Sequence, residues 1–425
     1  MTRRTWMVPD GCTHVAGRDL LTPDQLRTLE ALAYREGEAY DSYLALERGL
    51  EYFFGCGGQG VVGYTRWRKH LFVVGGLLAA EGRRGKLLSQ LMDFAVRNRL
   101  EISFLNILGR DVPAFRNAGF AVSKVGEEPV VPLDTCTWQG ADYAWVRRQE
   151  NFCTRSGVQF DEIVPDPKCD TFLNVIAPEI HEVSRDHLEH TVYGRELSMM
   201  VGRLDPEAMF RKRLFVARKD GRIEAFVIAN PGRNGDLWSV ETYRKRVDAT
   251  RGVIAFLITQ ISRQLRAEDV KLLSLCQVPT LRVKCGTPSD SAFVTNGMAF
   301  WWKYLPWFYD PPRQYHFKSR FRPQYRECFV ATYPKTRIAP MLAFFFKWGV
   351  IVPDLKRLPL QMLKRMAKWK NHERLADPVT EPYVLYQGSL DDSPPSFHLE
   401  PADRPASEHA VAGATEFEKS TILVP

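Results

Sequence analysis

The sequence predicts an α/β protein of two related units in tandem, each a mixed sheet flanked by helices, followed by a basic amphipathic segment and an acidic, disordered tail. Three observations carry this. Short apolar runs of strand length alternate with longer runs at helical spacing, the order that builds a sheet covered by helices. Ala114-Phe115-Arg116-Asn117-Ala118-Gly119-Phe120 returns 178 residues later as Ala292-Phe293-Val294-Thr295-Asn296-Gly297-Met298-Ala299-Phe300, each time after a helix-like stretch and a short apolar run. Repeated units bury their open faces on one another, which makes their seam a natural place for a site. Charge is also segregated: Pro311 to Lys370 holds 14 Lys or Arg against two acids, while Asn371 to Pro425 holds ten acids and three bases.

The first unit is expected over 20–164. Thr22-Pro23-Asp24 caps an amphipathic helix over Leu21 to Arg35, with Thr as acceptor and Pro in the first turn. Glu51 to Tyr64 and Lys69 to Leu77 read as strands around Gly-rich turns. The helix from Gly85 offers Leu87, Leu88, Leu91, Met92 and Ala95 to a core, and Ile102 to Leu108 is a buried strand. Val130 to Leu133 is a further strand and Tyr143 to Arg155 a polar helix; Asp161 to Cys169, with two prolines, marks the boundary. The second unit, 165–338, opens with a helix around Ile180 to His190. Leu214 to Arg218 and Ile223 to Asn230 pair across Asp220-Gly221, a strong hairpin signal. Leu237 to Val240, a helix from Gly252 to Arg266, Val270 to Leu275 and Glu327 to Tyr333 complete it.

Composition narrows the class. Eight cysteines without a Cys-x-x-Cys pair, and no histidine at zinc-site spacing, point away from a disulfide framework or a structural metal and toward a reducing compartment. Residues 1–20 lack the apolar core of an export signal. In the basic segment, 339–370, Leu355, Leu358, Met362, Met366 and Trp369 recur at helical spacing, with Lys356, Lys364, Arg365 and Lys368 mostly on other faces. Such a helix suits either the interface of an anionic membrane or docking on its own domain. The tail, 371–425, is Pro-rich and without hydrophobic periodicity.

Four clusters, in order, resemble the catalytic domain of the phosphatidylglycerol lysyltransferase family, the aminoacyl-tRNA-dependent lipid aminoacylases. They are Val125-Gly126-Glu127-Glu128-Pro129-Val130 with Trp138-x-Gly140 and Val146-Arg147-Arg148; Glu196-Leu197-Ser198-Met199-Met200-Val201-Gly202-Arg203; Trp238-Ser239-Val240-Glu241-Thr242-Tyr243-Arg244; and Phe317-Lys318-x-Arg320-Phe321-x-Pro323. The resemblance covers roughly Tyr40 to Tyr333. It implies two acetyltransferase-like (GNAT) units and transfer of an aminoacyl group from charged tRNA to a lipid hydroxyl, with no cofactor and no metal. The donor ester is already activated, so positioning and oxyanion stabilisation suffice.

Residue by residue, the resemblance assigns Glu196 and Glu241 to the substrate amino group or the attacking hydroxyl, with Ser198, Ser239 and Tyr243 as further substrate contacts. Arg244 would hold a phosphate or the terminal adenosine, and Lys318 a phosphate or the oxyanion. Arg147, Arg148, Arg320, Arg322 and Arg326 are candidates for the tRNA backbone. Glu241 departs from the family's Asp, and read without the resemblance, Glu241 and Arg244 are an ordinary i,i+3 ion pair on a helix. Long family members carry a multi-pass membrane domain that has no counterpart here, so transfer is expected at the cytoplasmic leaflet by a peripherally bound protein. Three other readings stand beside this one: an acyl-CoA-dependent N-acetyltransferase, whose pyrophosphate loop Arg83-Arg84-Gly85-Lys86 matches poorly, aminoacyl transfer to a peptide or peptidoglycan precursor, and a non-catalytic tRNA- or lipid-binding module.

Overall fold

The computed structural model describes residues 6–166, 168–191, 194, 211–306, 309–348, 378 and 383–386. The expected basic helix over Leu355 to Lys370, the tail beyond Tyr386, Glu196 and Ser198 lie outside the described residues.

Among the described residues, thirteen strands form one continuous sheet. The first half runs β1 (Thr13–Val15), α1 (Pro23–Glu36), β2 (Glu51–Gly55), β3 (Gly60–Trp67), β4 (His70–Ala79), α2 (Glu81–Arg97), β5 (Glu101–Leu108), α3 (Val112–Asn117), β6 (Ala121–Pro132) and α4 (Ala144–Arg155). The second runs β7 (Gln159–Ile163), α5 (Ala177–Glu189), β8 (Arg213–Lys219), β9 (Arg222–Gly232), β10 (Leu237–Lys245), α6 (Val253–Ala267), β11 (Leu272–Ser274), β12 (Val278–Pro279), α7 (Ala292–Tyr304), α8 (Pro311–Ser319) and β13 (Gln324–Tyr333), followed by α9 (Ile338–Trp348).

Local chemistry explains the elements. Thr22 accepts from the Gln25 amide while the Gln25 side chain accepts from Thr22 N–H, a reciprocal cap that starts α1. Asp220 and Gly221, at φ 51° and 79°, make the tight β8–β9 hairpin. α2 lays Leu87, Leu88, Leu91, Phe94 and Ala95 on Phe53, Val62, Tyr64 and Val73. α6 likewise buries Phe256, Leu257, Ile261 and Leu265 against Phe215, Val227, Val240 and Leu273. Four or five large apolar side chains per helix contribute on the order of 10 kcal/mol of gross burial free energy on each side.

The strand order is β1-β2-β3-β4-β5-β13-β6-β11-β10-β9-β8-β7, with β12 paired to β6 off this path. The closing strands of the two halves are therefore exchanged. β13 from the second half lies against β5 of the first, and β6 from the first lies against β11 of the second. The two exchanged strands pair with each other from Gln324↔Val130 to Thr332↔Ala121. In each half one parallel pair holds at its start and then parts: β4 pairs β5 only from His70 to Val73, and β10 pairs β11 only from Leu237 to Ser239. The sheet is thereby split twice.

The sequence echo marks equivalent helices, yet its residues do not play equivalent parts. Phe115 is buried and Gly119 ends α3 in the left-handed region, whereas Phe293 is exposed and Gly297 lies within α7. The repeat is one of topology. Glu241 and Arg244 also correct an expectation, because the segment read as a helix continues strand β10, so an i,i+3 helical ion pair cannot form.

Candidate active site

The second split of the sheet holds most of the candidate residues. Glu241 is the extra residue of a bulge: Val240 faces Ala229 and Thr242 faces Ile228, leaving Glu241 unmatched in the ladder. Bulges re-aim side chains, and this one leaves a buried carboxylate at the split, where Asn230 Nδ2 donates to its Oε2. Arg244, also buried, follows on the same strand and holds His187 neutral, its pKa brought down to about 4 by burial and then by that guanidinium. Tyr243 is packed near Phe317, its phenol pushed up by burial.

The facing lip is the connection after β11. Cys276, Thr280 and Arg282 all have φ between 48° and 68°, an uncommon state for non-glycine residues and a strained one for β-branched Thr. Lys318 closes the split from α8, a helix begun by Asp310 capping Arg313 N–H at 3.1 Å and by Pro311 in the first turn. Its Nζ is buried and donates to the carbonyls of Cys276 and Gln277 at 2.9 and 3.2 Å. Burial pushes Lys318 down to about 8, against the opposing pull of Cys276 and Glu128. The Cys276 thiol is pushed well up by burial and by Glu241, Glu128 and Asp41, with only Lys318 opposing, so at neutral pH it is protonated and a poor nucleophile.

The first half supplies residues that sequence reasoning quoted as a motif without assigning them to the site. Glu128, fully buried on β6, accepts from Arg326 Nη2 at 2.7 Å and from Ser274 Oγ. Glu127 binds Lys124 Nζ at 2.7 Å and Arg282. Gly126 precedes them because a Cβ there would fall 2.4 Å from Val278 O, on the strand that pairs with it. Tyr40 donates to Gln277 Oε1 at 2.9 Å, and Asn106 Nδ2 donates to buried Asp41 at 2.9 Å; burial holds the Asp41 carboxyl up at about 6. Tyr40, Asp41 and the Gln277 connection carried no sequence signal beyond residue type.

An apolar cavity of about 130 Å³ has Phe72, Met298, Trp301 and Phe344 in its walls and is lined also by Tyr40, Asp41 and Gln277 of this centre. On α9, Ile338, Leu342 and Phe346 recur every four residues and face outward, exposed. Among the described residues no helix is long and apolar enough to cross a membrane.

The remaining candidates are scattered. Ser239 Oγ donates to Tyr40 O at 3.1 Å and so ties β10 to the first half. Arg147 is used locally, donating to the carbonyls of Trp138 and Gly140 at 3.0 and 2.6 Å. Arg148 and Arg322 are exposed, Arg322 lying 3.9 Å from Asp142, and Arg320 is half-buried beside His316 at 3.2 Å. Arg326 is buried and forms an ion pair with Glu128. The start of the first helical crossover is occupied as well. Arg84 turns inward from α2, donating to Ala79 O, Glu36 O and Glu38, where a pyrophosphate would need free backbone N–H groups.

One sheet shared by two halves, with a buried lysine and two buried carboxylates beside its second split, defines a two-part α/β domain whose halves meet at one centre. The chain belongs to the family described as phosphatidylglycerol lysyltransferase, C-terminal, whose model matches residues 30–332. It is 23% identical over 317 residues to the phosphatidylglycerol lysyltransferase of Bacillus subtilis, covering 74% of this chain and 36% of that protein, so it spans about a third of the relative's length. Two solved structures share the fold. L-PGS from Bacillus licheniformis matches at TM-score 0.64 and 21% identity, over 77% of this chain and 96% of that one. The C-terminal domain (DUF2156) of a lysylphosphatidylglycerol synthetase from Agrobacterium fabrum matches at 0.62 and 18%, over 78% and 98%.

Proposed function

We propose that this domain transfers the aminoacyl group of an aminoacyl-tRNA to a hydroxyl of a membrane lipid such as phosphatidylglycerol, working at the inner face of the membrane. The observation that carries the reading is an apolar cavity that reaches Gln277, whose backbone carbonyl accepts from the buried Lys318 ammonium: apolar lipid groups suit the first, and ester chemistry needs the second. The lipid hydroxyl attacks the ester carbonyl. Lys318 ammonium, held by two peptide carbonyls, stabilises the oxyanion, and Glu241 receives the hydroxyl proton or holds the substrate ammonium. The tetrahedral intermediate collapses with loss of the tRNA 3′-terminal ribose oxygen, which takes up from Glu241 the proton released by the lipid hydroxyl. No covalent enzyme intermediate is needed, which agrees with the protonated state of Cys276. The outward face of α9 serves as the apolar contact with the bilayer.

The test is direct. The purified chain is incubated with tRNA charged with a mixture of radiolabelled amino acids and with vesicles containing phosphatidylglycerol, and the lipid extract is examined by mass spectrometry. A new aminoacylated lipid that is lost in Lys318→Met and Glu241→Gln supports the reading; label that stays on tRNA in the wild type refutes it.

A further inference from the structure

Part of the C-terminal tail, expected to be disordered, lies against the sheet. β5 ends at Leu108, level with Cys328, so β13 from Gln324 to Glu327 has β6 on one side and no β5 on the other. Residues 383–386 take that edge as a parallel addition: Tyr325 N–H donates to Val384 O at 2.9 Å, and Tyr386 N–H donates to Tyr325 O at 2.8 Å. The sequence suits the place. Tyr383-Val384-Leu385-Tyr386 joins aromatic and β-branched residues between Pro382 and Gly388. It lies beyond residue 332, where the family match ends.

The same stretch of tail reaches Arg282, the last of the three left-handed residues in the lip. Arg282 Nε donates to Pro378 O at 2.8 Å, and its guanidinium carbon lies 3.6 Å from the centre of the Tyr383 ring. Tyr325 and Tyr315 flank the same guanidinium at 4.5 and 5.5 Å, and Glu127 binds its Nη1. An arginine at φ 48° persists only where its surroundings hold it, and here the tail supplies one carbonyl and one of the three rings.

Both sides of the Lys318 bond rest on this arginine. Tyr315 precedes Lys318 by one turn of α8 and packs with Val278, Leu281 and Tyr325. The lip whose carbonyls accept from Lys318 is fastened at its middle to β6 through β12, and at its end by the Arg282 guanidinium. Loosening Arg282 therefore frees the helix that carries Lys318 together with the lip that receives it.

We propose that Tyr383 and Arg282 are positioning residues of the transfer centre: the tail closes the edge of β13 as a strap and, through Arg282, sets the lip and α8 that hold the Lys318 ammonium in place. The role in catalysis rests on the transfer reading above, and the strap rests on the tail's own contacts.

The test uses the full chain with Tyr383→Ala, which removes the ring, and Tyr386→Pro, which removes the N–H that closes the pairing. Charged tRNA and phosphatidylglycerol vesicles give kcat and KM over a pH series, and NMR of lysines ¹³C-labelled at Cε gives the Lys318 titration. In both variants kcat is expected to fall on the order of tenfold while KM holds, as misplacement of a reacting group requires. Water then reaches Nζ, so the Lys318 titration and the alkaline limb of the rate both move up from about 8. Tyr383→Phe keeps the ring and behaves as wild type. A wild-type rate in both variants, a faster one, or a slower one with the Lys318 titration unmoved overturns the proposal. A chain that makes no aminoacylated lipid, yet shifts its Lys318 titration in both variants, keeps the strap and refutes the transfer reading instead.

Discussion

Lys318 offers the most incisive perturbation because its charge can be read by two independent routes. Its Nζ sits among carbonyls at 2.9 and 3.2 Å, and burial brings its pKa from the ordinary lysine value to about 8. Roughly nine-tenths of the molecules then carry the ammonium at pH 7 and roughly one-tenth at pH 9. If the ammonium stabilises the oxyanion, transfer to lipid falls about tenfold across that interval, after correction for spontaneous ester hydrolysis. Glu128→Gln removes the carboxylate that favours the charged form, so the alkaline limb moves to lower pH. Stability changes in the opposite sense to activity. Between about pH 8 and 10.5 the unfolded chain binds this proton and the native one does not, so native stability rises with pH by about 3 kcal/mol from this group. Lys318→Met abolishes that rise in urea titrations. Direct titration of the lysine side chains, ¹³C-labelled at Cε, by NMR supplies the second route. A Lys318 resonance titrating at the ordinary lysine value, or an alkaline limb unmoved by Glu128→Gln, refutes the reasoning.

Three further outcomes are expected. Asp41→Asn retains the bond from Asn106 and removes a carboxyl held at about 6, whose native form binds protons more strongly than the unfolded chain between about pH 4 and 6. The wild type loses stability from this group as pH rises through that window, so the variant is more stable at pH 7 by about 2–3 kcal/mol and its urea midpoint is flatter from pH 4 to 6. Gly126→Ala drives a Cβ to within 2.4 Å of Val278 O and costs about 2 kcal/mol or more, read from the same midpoint; an unchanged midpoint contradicts the close approach. Leu342→Asp with Phe346→Asp replaces exposed residues of α9, so thermal stability holds while sedimentation with anionic vesicles falls several-fold. Equal sedimentation removes α9 from the membrane contact.

The order of helices and strands was largely legible because it depends on local periodicity, capping and turn chemistry. Thr22, Asp220-Gly221 and the apolar face of α2 each act within a few residues. The exchange of β6 and β13 was not legible, since pairing partners 200 residues apart leave no local trace. Within the site, Lys318 and Glu241 stood out through motif resemblance, and the strand geometry of Glu241 did not, because a bulge is a property of two strands in register. Arg326 illustrates the same limit: its residue type suggests solvent, and only the position of Glu128 across the ladder makes it an interior ion pair.

The exchanged strands also set a timetable for the chain during synthesis. β5 emerges with its outer edge waiting for a strand encoded some 220 residues later, and β6 must wait for both β11 and β13. Helix α2 and the hairpin of β3 and β4 can form early, but the first half cannot close its own sheet before Tyr333 has left the ribosome. A chain cut between the halves would expose two unpaired edges, each a template for another molecule. Separately expressed halves should therefore aggregate alone and recover a single folded product only when made together.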